Sequence, residues 1–371
     1  MSPDGYRARR ILVVELLGGF GDVLLVLPAV HALARSHPDA DLTVLTFTPG
    51  DVLLAHDPLV ARVVGTSDHA EGAPRRAVDA ELTEAEREGE PYDLVVTTTT
   101  YGGIDELCAA RAPRAVTNLW RRPPADERID RRFLRLLVAD GLVDPSSADE
   151  PLSVALTALE LAKARARLVD FWDGNDTTGA SGTRSSPVVL VPGSGMRVKE
   201  WPTERWTELA ARAAAAGRPV LTAGVVGSAP VPGTSLLPPG GLRELAANLA
   251  VVGERGGVVI GGDTGPVRLA TAVGAYAVGL FGPTVAGRYG LDPRAGMSLQ
   301  GLPGCEVRRP QAITEQECWW SARCPLTDGD PACLADLGVD EVASAALRTR
   351  ADPEVSPSVH LTGPGHRGPQ P

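Results

Sequence analysis

Short apolar runs alternate with longer mixed segments along most of the chain. Residues 11–16 (ILVVEL), 41–47 (DLTVLTF), 59–65 (LVARVVG) and 93–99 (DLVVTTT) are rich in β-branched residues and bounded by turn formers, so they read as strands. Residues 23–34 form an apolar-rich helix pattern with a kink or break expected at Pro28. Further helices are expected near 81–88, at 105–111 and at 127–141, the last closed by Gly141, with a strand at 114–118 between them. The alternation then restarts. Strands are expected at 187–192, 219–224, 257–262 and 276–282. Helices are expected from Thr203, read as a cap, to about Ala216, over 242–252, and opening at Asp263–Pro266. Two blocks of β/α alternation predict an α/β protein with two doubly wound parallel sheets. Ligands in such sheets sit at the carboxyl ends of the strands.

The blocks give a domain plan. Residues 1–150 make a first domain, and 151–186 a helix (155–172) with a flexible linker, DGNDTTGASGTRSS. Residues 187–350 make the second domain, and the Pro/Gly-rich tail 351–371 is expected to be disordered. The net charge of −10 argues against nonspecific nucleic-acid binding, which needs a basic stripe. No apolar run approaches the roughly 20 residues of a membrane span, and no signal-peptide pattern opens the chain, so a cytoplasmic protein is expected. There are 34 Arg but two Lys, Lys163 and Lys199, as in a protein from a GC-rich genome. A lysine that survives such bias is a candidate for chemistry. The histidines are His31, His37, His56, His69, His360 and His366, which excludes a His-dependent triad or zinc site in the second half unless the first half supplies the His.

Four loops carry the candidate chemistry. Gly18-Gly19-Phe20-Gly21-Asp22 follows the first strand. It is no dinucleotide fingerprint, because Leu24 stands where Gly or Ala is needed, and no Gly-Lys-Ser/Thr occurs anywhere. Asp22 is either a helix N-cap or a general base. Pro192 to Pro202 (PGSGMRVKEWP) carries Lys199, either a surface cation or a phosphate holder. Gly261-Gly262-Asp263-Thr264-Gly265-Pro266 is either an anion site at a helix start or a tight turn with a cap. Phe281-Gly282-Pro283-Thr284 is explained by turn chemistry alone. Cys305, Cys318, Cys324 and Cys333 cluster without the CxxC knuckle of common zinc sites; Cys108 stands apart. Unligated cysteines in a compact loop are expected over a structural metal.

Together these loops resemble glycosyltransferase family 9, the ADP-heptose-dependent heptosyltransferases. The resemblance rests on Gly21-Asp22 with Leu27-Pro28, Pro192-Gly193 followed by Lys199-Glu200-Trp201-Pro202, Asp263-Thr264-Gly265-Pro266, and Phe281-Gly282-Pro283-Thr284, in the family's order. It implies a GT-B fold, two Rossmann-like domains facing across a cleft, and inverting transfer from an ADP-sugar without metal or other cofactor. It makes Asp22 the base, with Gly18, Gly19 and Gly21 as the acceptor-side loop. On the donor side it places Ser194, Lys199, Asp263, Thr264, Gly265, Arg268 and Thr284, with Pro238 lining the adenine pocket. Arg268 replaces the family's usual His, the family's acidic residue is absent from residues 225–229, and the first glycine turn is one residue longer. The composition points to a small soluble acceptor, such as a nucleoside or aminocyclitol antibiotic scaffold. A lipopolysaccharide-type or other envelope acceptor is the alternative, and a noncatalytic sugar-nucleotide-binding protein is the alternative of another class.

Overall fold

The computed structural model describes residues 6–121, 124, 126–175, 186–224, 230–347 and 361–362. The expected linker after 175, the residues 225–229 that lack the family's acid, and the tail apart from 361–362 lie outside the described residues. The chain divides into two compact units, 1–123 with 127–155, and 124–126 with 156–371.

In the first unit the order is β1 (Arg10–Glu15), α1 (Phe20–Ser36), β2 (Asp41–Phe47), α2 (Gly50–Leu53), β3 (Arg62–Thr66), α3 (Ala73–Arg87), β4 (Leu94–Thr97), α4 (Ile104–Arg111), β5 (Arg114–Val116) and α5 (Ile129–Ala139). The strands form one parallel sheet in the order β3-β2-β1-β4-β5. Five of the six residues of β1 are buried, as expected of a strand covered on both faces. On one face Leu12, Val14, Leu45 and Val95 pack with Val78 and Leu82 of α3 and Ile104 of α4. Each such side chain contributes about 1.5–3 kcal/mol by leaving water. The expected break at Pro28 does not occur, for α1 runs through it. A proline there removes one helix hydrogen bond. The helix from Val23 to Leu33 is continuously buried, so packing outweighs that loss. Buried His31 holds Asp57 at 2.7 Å, and this bond pulls the Asp57 carboxyl below its usual range against the effect of burial.

The second unit runs β6 (Leu156–Thr157), α6 (Ala158–Asn175), β7 (Val188–Val191), α7 (Thr203–Ala215), β8 (Val220–Thr222), β9 (Ser235–Leu236), α8 (Leu242–Glu254), β10 (Val258–Gly262), α9 (Gly265–Ala272), β11 (Tyr276–Phe281), α10 (Ala286–Tyr289), β12 (Gly296–Gln300), α11 (Glu317–Ser321), α12 (Ala332–Ala335), α13 (Val339–Leu347) and β13 (Leu361–Thr362). Its main sheet is parallel, in the order β12-β11-β10-β7-β8-β9. The cap of α7 is Pro202 and not Thr203, which begins the helix. Proline's fixed φ suits the residue that leads into a helix, and no side-chain cap bond forms there. Trp201 and Trp206 meet edge to face at 4.9 Å inside the core, and the Trp201 indole donates to the Leu337 carbonyl at 3.0 Å.

Candidate functional site

Both sheets reverse their strand order next to their first strand, between β1 and β4 and between β7 and β10. In an open α/β sheet the crevice outside the carboxyl ends at such a reversal is where ligands bind. The candidate residues gather at these two places.

In the first unit β1 ends on Glu15, 2 % exposed. Its carboxyl accepts the Leu17 N–H at 3.0 Å and the Thr98 hydroxyl. The end of β4 pins the turn that follows. Leu16 N–H donates to Thr99 Oγ1 at 2.8 Å, and the Tyr101 hydroxyl donates to the Leu16 carbonyl at 2.6 Å. Gly19 is the cap of α1, so the cap reading of Asp22 is corrected: Asp22 is the third residue of the helix. Its N–H donates to the Gly19 carbonyl at 3.0 Å. Its carboxylate folds back over the turn, so that a Cβ on Gly18 would lie 2.6 Å from Asp22 Oδ2. Gly18 is therefore required by the carboxylate, whereas a Cβ on Gly19 would meet nothing. Gly21 lies half-buried in the first helical turn. Burial, together with the neighbouring Asp22 charge, pushes the Glu15 carboxyl up to about 8, against the pull of the Thr98 and Leu17 bonds. Glu15 is thus mostly protonated at neutral pH beside Asp22.

Gly18 also walls a cavity of about 370 Å³, with Phe47, His69, Arg75, Tyr101 and Ile104 among its other walls. Phe47 and His69 stack at 4.1 Å. Arg75 and Glu71 put both a cation and an acid in its wall, and Gly18 connects it to the Asp22 carboxylate.

In the second unit the loop after β7 carries Lys199 over the end of β10. A Cβ on Gly262 would lie 2.7 Å from the Lys199 carbonyl oxygen, and one on Gly261 would lie 2.8 Å from Val191 Cβ. The paired glycines let that loop settle onto the strand. Lys199 Nζ then reaches Asp263 Oδ2 at 3.1 Å. Arg268 approaches the other carboxylate oxygen at 3.6 Å and donates to the Tyr289 carbonyl. Burial would raise the Asp263 carboxyl, but Lys199 and Arg268, with Thr284 against it, hold it below its usual range. Two fixed cations thus surround one carboxylate at the start of α9, whose cap is Thr264 and whose first residue is Gly265. The free N–H groups of a helix start add partial positive charge. Arg268 is 7 % exposed, so it anchors Asp263 from behind. Ser194 lies on the Lys199 loop, where its N–H donates to Glu200 Oε1 at 3.2 Å and its hydroxyl accepts from Met196 N–H at 3.2 Å. Pro238 stands apart from this cluster, beyond β9, its carbonyl accepting from the buried Asn248 amide at 3.2 Å. Gly282 is more than a turn residue. A Cβ there would lie 2.9 Å from Cys333 Sγ, and its carbonyl accepts from Gln300 and Arg308.

Sequence reading missed two side chains at these sites. Glu15 was read only as a strand residue, although a carboxylate closing an otherwise apolar buried strand is itself a signal. Trp319 was passed over inside the cysteine-rich segment; its ring centroid lies 5.0 Å from Lys199 Nζ. All five cysteines are free thiols, and burial pushes that of Cys333 up to about 12. Among the described residues no group of three or more His, Cys, Asp or Glu is arranged to hold a metal ion, and no helix is long and apolar enough to cross a membrane.

Two doubly wound parallel sheets, one ending in a carboxylate turn and the other in a cationic helix start, make up the GT-B fold. Residues 152–300 match the model of glycosyltransferase family 9 (heptosyltransferase). Solved structures agree in fold. A family 9 glycosyltransferase from Veillonella parvula DSM 2008 superposes with a TM-score of 0.69 at 17 % identity, covering 91 % of this chain and 96 % of that one. The E. coli ADP-heptose LPS heptosyltransferase II gives 0.61 at 16 % identity, covering 91 % and 97 %. The E. coli heptosyltransferase WaaC, solved with ADP, gives 0.55 at 19 % identity, covering 91 % and 98 %. No curated protein matches the sequence.

Proposed function

We propose that the protein transfers a heptose or related sugar from an ADP-sugar to a hydroxyl or amine of a small acceptor, with inversion and without a metal or other cofactor. The observation that carries this reading is Lys199, held 3.1 Å from Asp263 at the start of α9, in the stretch that matches the family. As the bond between the anomeric carbon and the diphosphate breaks, negative charge grows on the leaving ADP. A preorganised ammonium and helix N–H groups stabilise that charge more than they stabilise the bound donor. The acceptor oxygen forms the new bond from the opposite side, and Asp22 takes its proton. Ser194, Thr264, Gly265 and Thr284 belong to the donor pocket in this reading, and Pro238 to its adenine side.

The cavity of about 370 Å³ beside Gly18 falls at the small end of ligand pockets. It supports an acceptor of one or two rings, such as a nucleoside or aminocyclitol scaffold. A lipopolysaccharide-type acceptor is the second reading, favoured by the E. coli LPS heptosyltransferase II among the similar structures. In this reading the reaction takes place in the cytoplasm. The test is a melting panel of the full chain with ADP, UDP, GDP and dTDP. Ligand bound to the native state raises the melting temperature by mass action, and ADP is expected to raise it most. A larger rise with another nucleotide, or none with any, rejects the ADP-sugar.

A further inference from the structure

The cysteine-rich segment after β12 is tied down on the second unit by its own bonds. Arg308, 8 % exposed, has no carboxylate partner among the described residues; it donates to four carbonyls, of Gly282 at 3.0 Å, Gly301 at 2.8 Å, Leu302 at 3.0 Å and Pro303 at 3.2 Å. Gln316 Oε1 accepts the Arg309 N–H at 2.8 Å, and the Trp320 indole donates to the Thr314 carbonyl at 2.8 Å. α11 is thereby fixed at its start. The residue it delivers is Trp319, half-buried, with its ring 5.0 Å from Lys199 Nζ. Lys199 thus meets the Asp263 carboxylate and an indole ring. Among the described residues the Trp319 indole N–H has no partner, unlike that of Trp320.

We infer that Trp319 is a positioning residue of the donor site: its ring holds the Lys199 ammonium in place, and its indole N–H donates to an oxygen of the diphosphate that Lys199 binds. This rests on the reading of Lys199 as a diphosphate holder. A cation over an indole face is worth about 0.5–2 kcal/mol, roughly 2- to 30-fold in affinity. The hydrogen bond to a charged oxygen adds to it.

The experiment is calorimetric titration of the full chain and of Trp319→Ala and Trp319→Phe with ADP, inorganic pyrophosphate and adenosine, with a melting curve for each variant. Trp319→Ala is expected to bind ADP and pyrophosphate about tenfold more weakly, and adenosine as the parent does. Trp319→Phe keeps a ring over Lys199 without the N–H, so it is expected to fall between the two. Parent-like affinity of Trp319→Ala for both phosphate ligands overturns the inference, as does an equal loss for adenosine. Failure of the parent to bind ADP, with pyrophosphate binding still weakened by Trp319→Ala, overturns the ADP donor and leaves Trp319 where it is argued to act. Failure of the parent to bind either phosphate ligand overturns both.

Discussion

Both units wind their sheets in the same order, and each places an acidic side chain where that order reverses, Glu15 at the end of β1 and Asp263 after β10. Their surroundings are opposite. Glu15 has a second carboxylate, Asp22, as its charged neighbour, and its carboxyl is pushed up to about 8. Asp263 has Lys199 and Arg268, and its carboxyl is pulled below its usual range. One backbone topology therefore sets an acid beside a like charge in the first unit and an acid between two cations in the second. The topology supplies the place, and the charges around one acid decide the chemistry.

The largest effects come from removing the character of either end. Asp22→Asn keeps shape and hydrogen-bonding capacity but cannot take a proton, so single-turnover transfer is expected to fall roughly 10²–10⁴-fold. Its ADP affinity should stay with the parent, and, because Asp22 is not the cap of α1, its melting temperature should shift only by what the lost Asp22 charge does to Glu15. Lys199→Ala should instead lower kcat/KM by about 10²–10³-fold, the range for losing one oriented group that meets developing charge. It should weaken ADP binding as well. The comparison breaks if the two variants share one phenotype, since the two ends would then not divide the work.

Smaller effects separate two glycines that look alike in sequence. Gly262→Ala sets a methyl 2.7 Å from the backbone oxygen of Lys199, which cannot move without dragging its loop. A loss of about 1–3 kcal/mol in unfolding free energy is expected, together with weaker pyrophosphate binding. Gly18→Ala sets a methyl 2.6 Å from Asp22 Oδ2, the end of a side chain that can rotate away. Stability should stay within about 0.5 kcal/mol of the parent, while transfer drops because the carboxylate has left its position. Denaturant melts paired with transfer assays separate the two, and a stability loss in Gly18→Ala would mean that the turn is rigid around Asp22.

What the sequence disclosed follows from the range of each interaction. The strand–glycine–helix passages at Gly18–Asp22 and Gly261–Pro266 are local, and the apolar runs before them are buried on both faces. They were therefore legible, as was Lys199 through its rarity. Pro28 misled because burial of α1, a tertiary effect, outweighs one missing hydrogen bond. β9 is two residues at a sheet edge and β12 begins on a glycine, so neither announces itself by an apolar run. Glu15 and Trp319 depend on partners far along the chain. The Thr98 hydroxyl that bonds Glu15 is 83 residues away, and Trp319 meets Lys199 only after the segment behind β12 folds back. No spacing within either segment carries that information.

The smallest effect is a change of slope with pH, and it bears on the first unit alone. The Glu15 carboxyl rises from an ordinary 4.5 to about 8 on folding. Between these values the folded chain holds a proton that the unfolded chain has released. Stability from this group is therefore fully present below about pH 4.5 and is lost as pH rises through about 8, by at most about 1.4 kcal/mol per pH unit. Glu15→Gln removes the titration while its amide oxygen, in the place of Oε1, still accepts the Leu17 N–H, and its amide NH2, in the place of Oε2, donates to the Thr98 hydroxyl oxygen. The variant should melt at progressively higher temperature relative to the parent as pH is raised from 5 to 8. Because the Asp22 charge contributes to the rise, the same comparison made in an Asp22→Asn background should show a shorter window, ending at lower pH. ADP affinity should be indifferent to Glu15→Gln throughout, since the second unit's acid is governed by Lys199 and Arg268. Parallel melting profiles for parent and Glu15→Gln across this range would show that Glu15 is ionised in the folded chain. The first unit would then hold two charges at its reversal point, and a cation would have to stand there as one does beside Asp263.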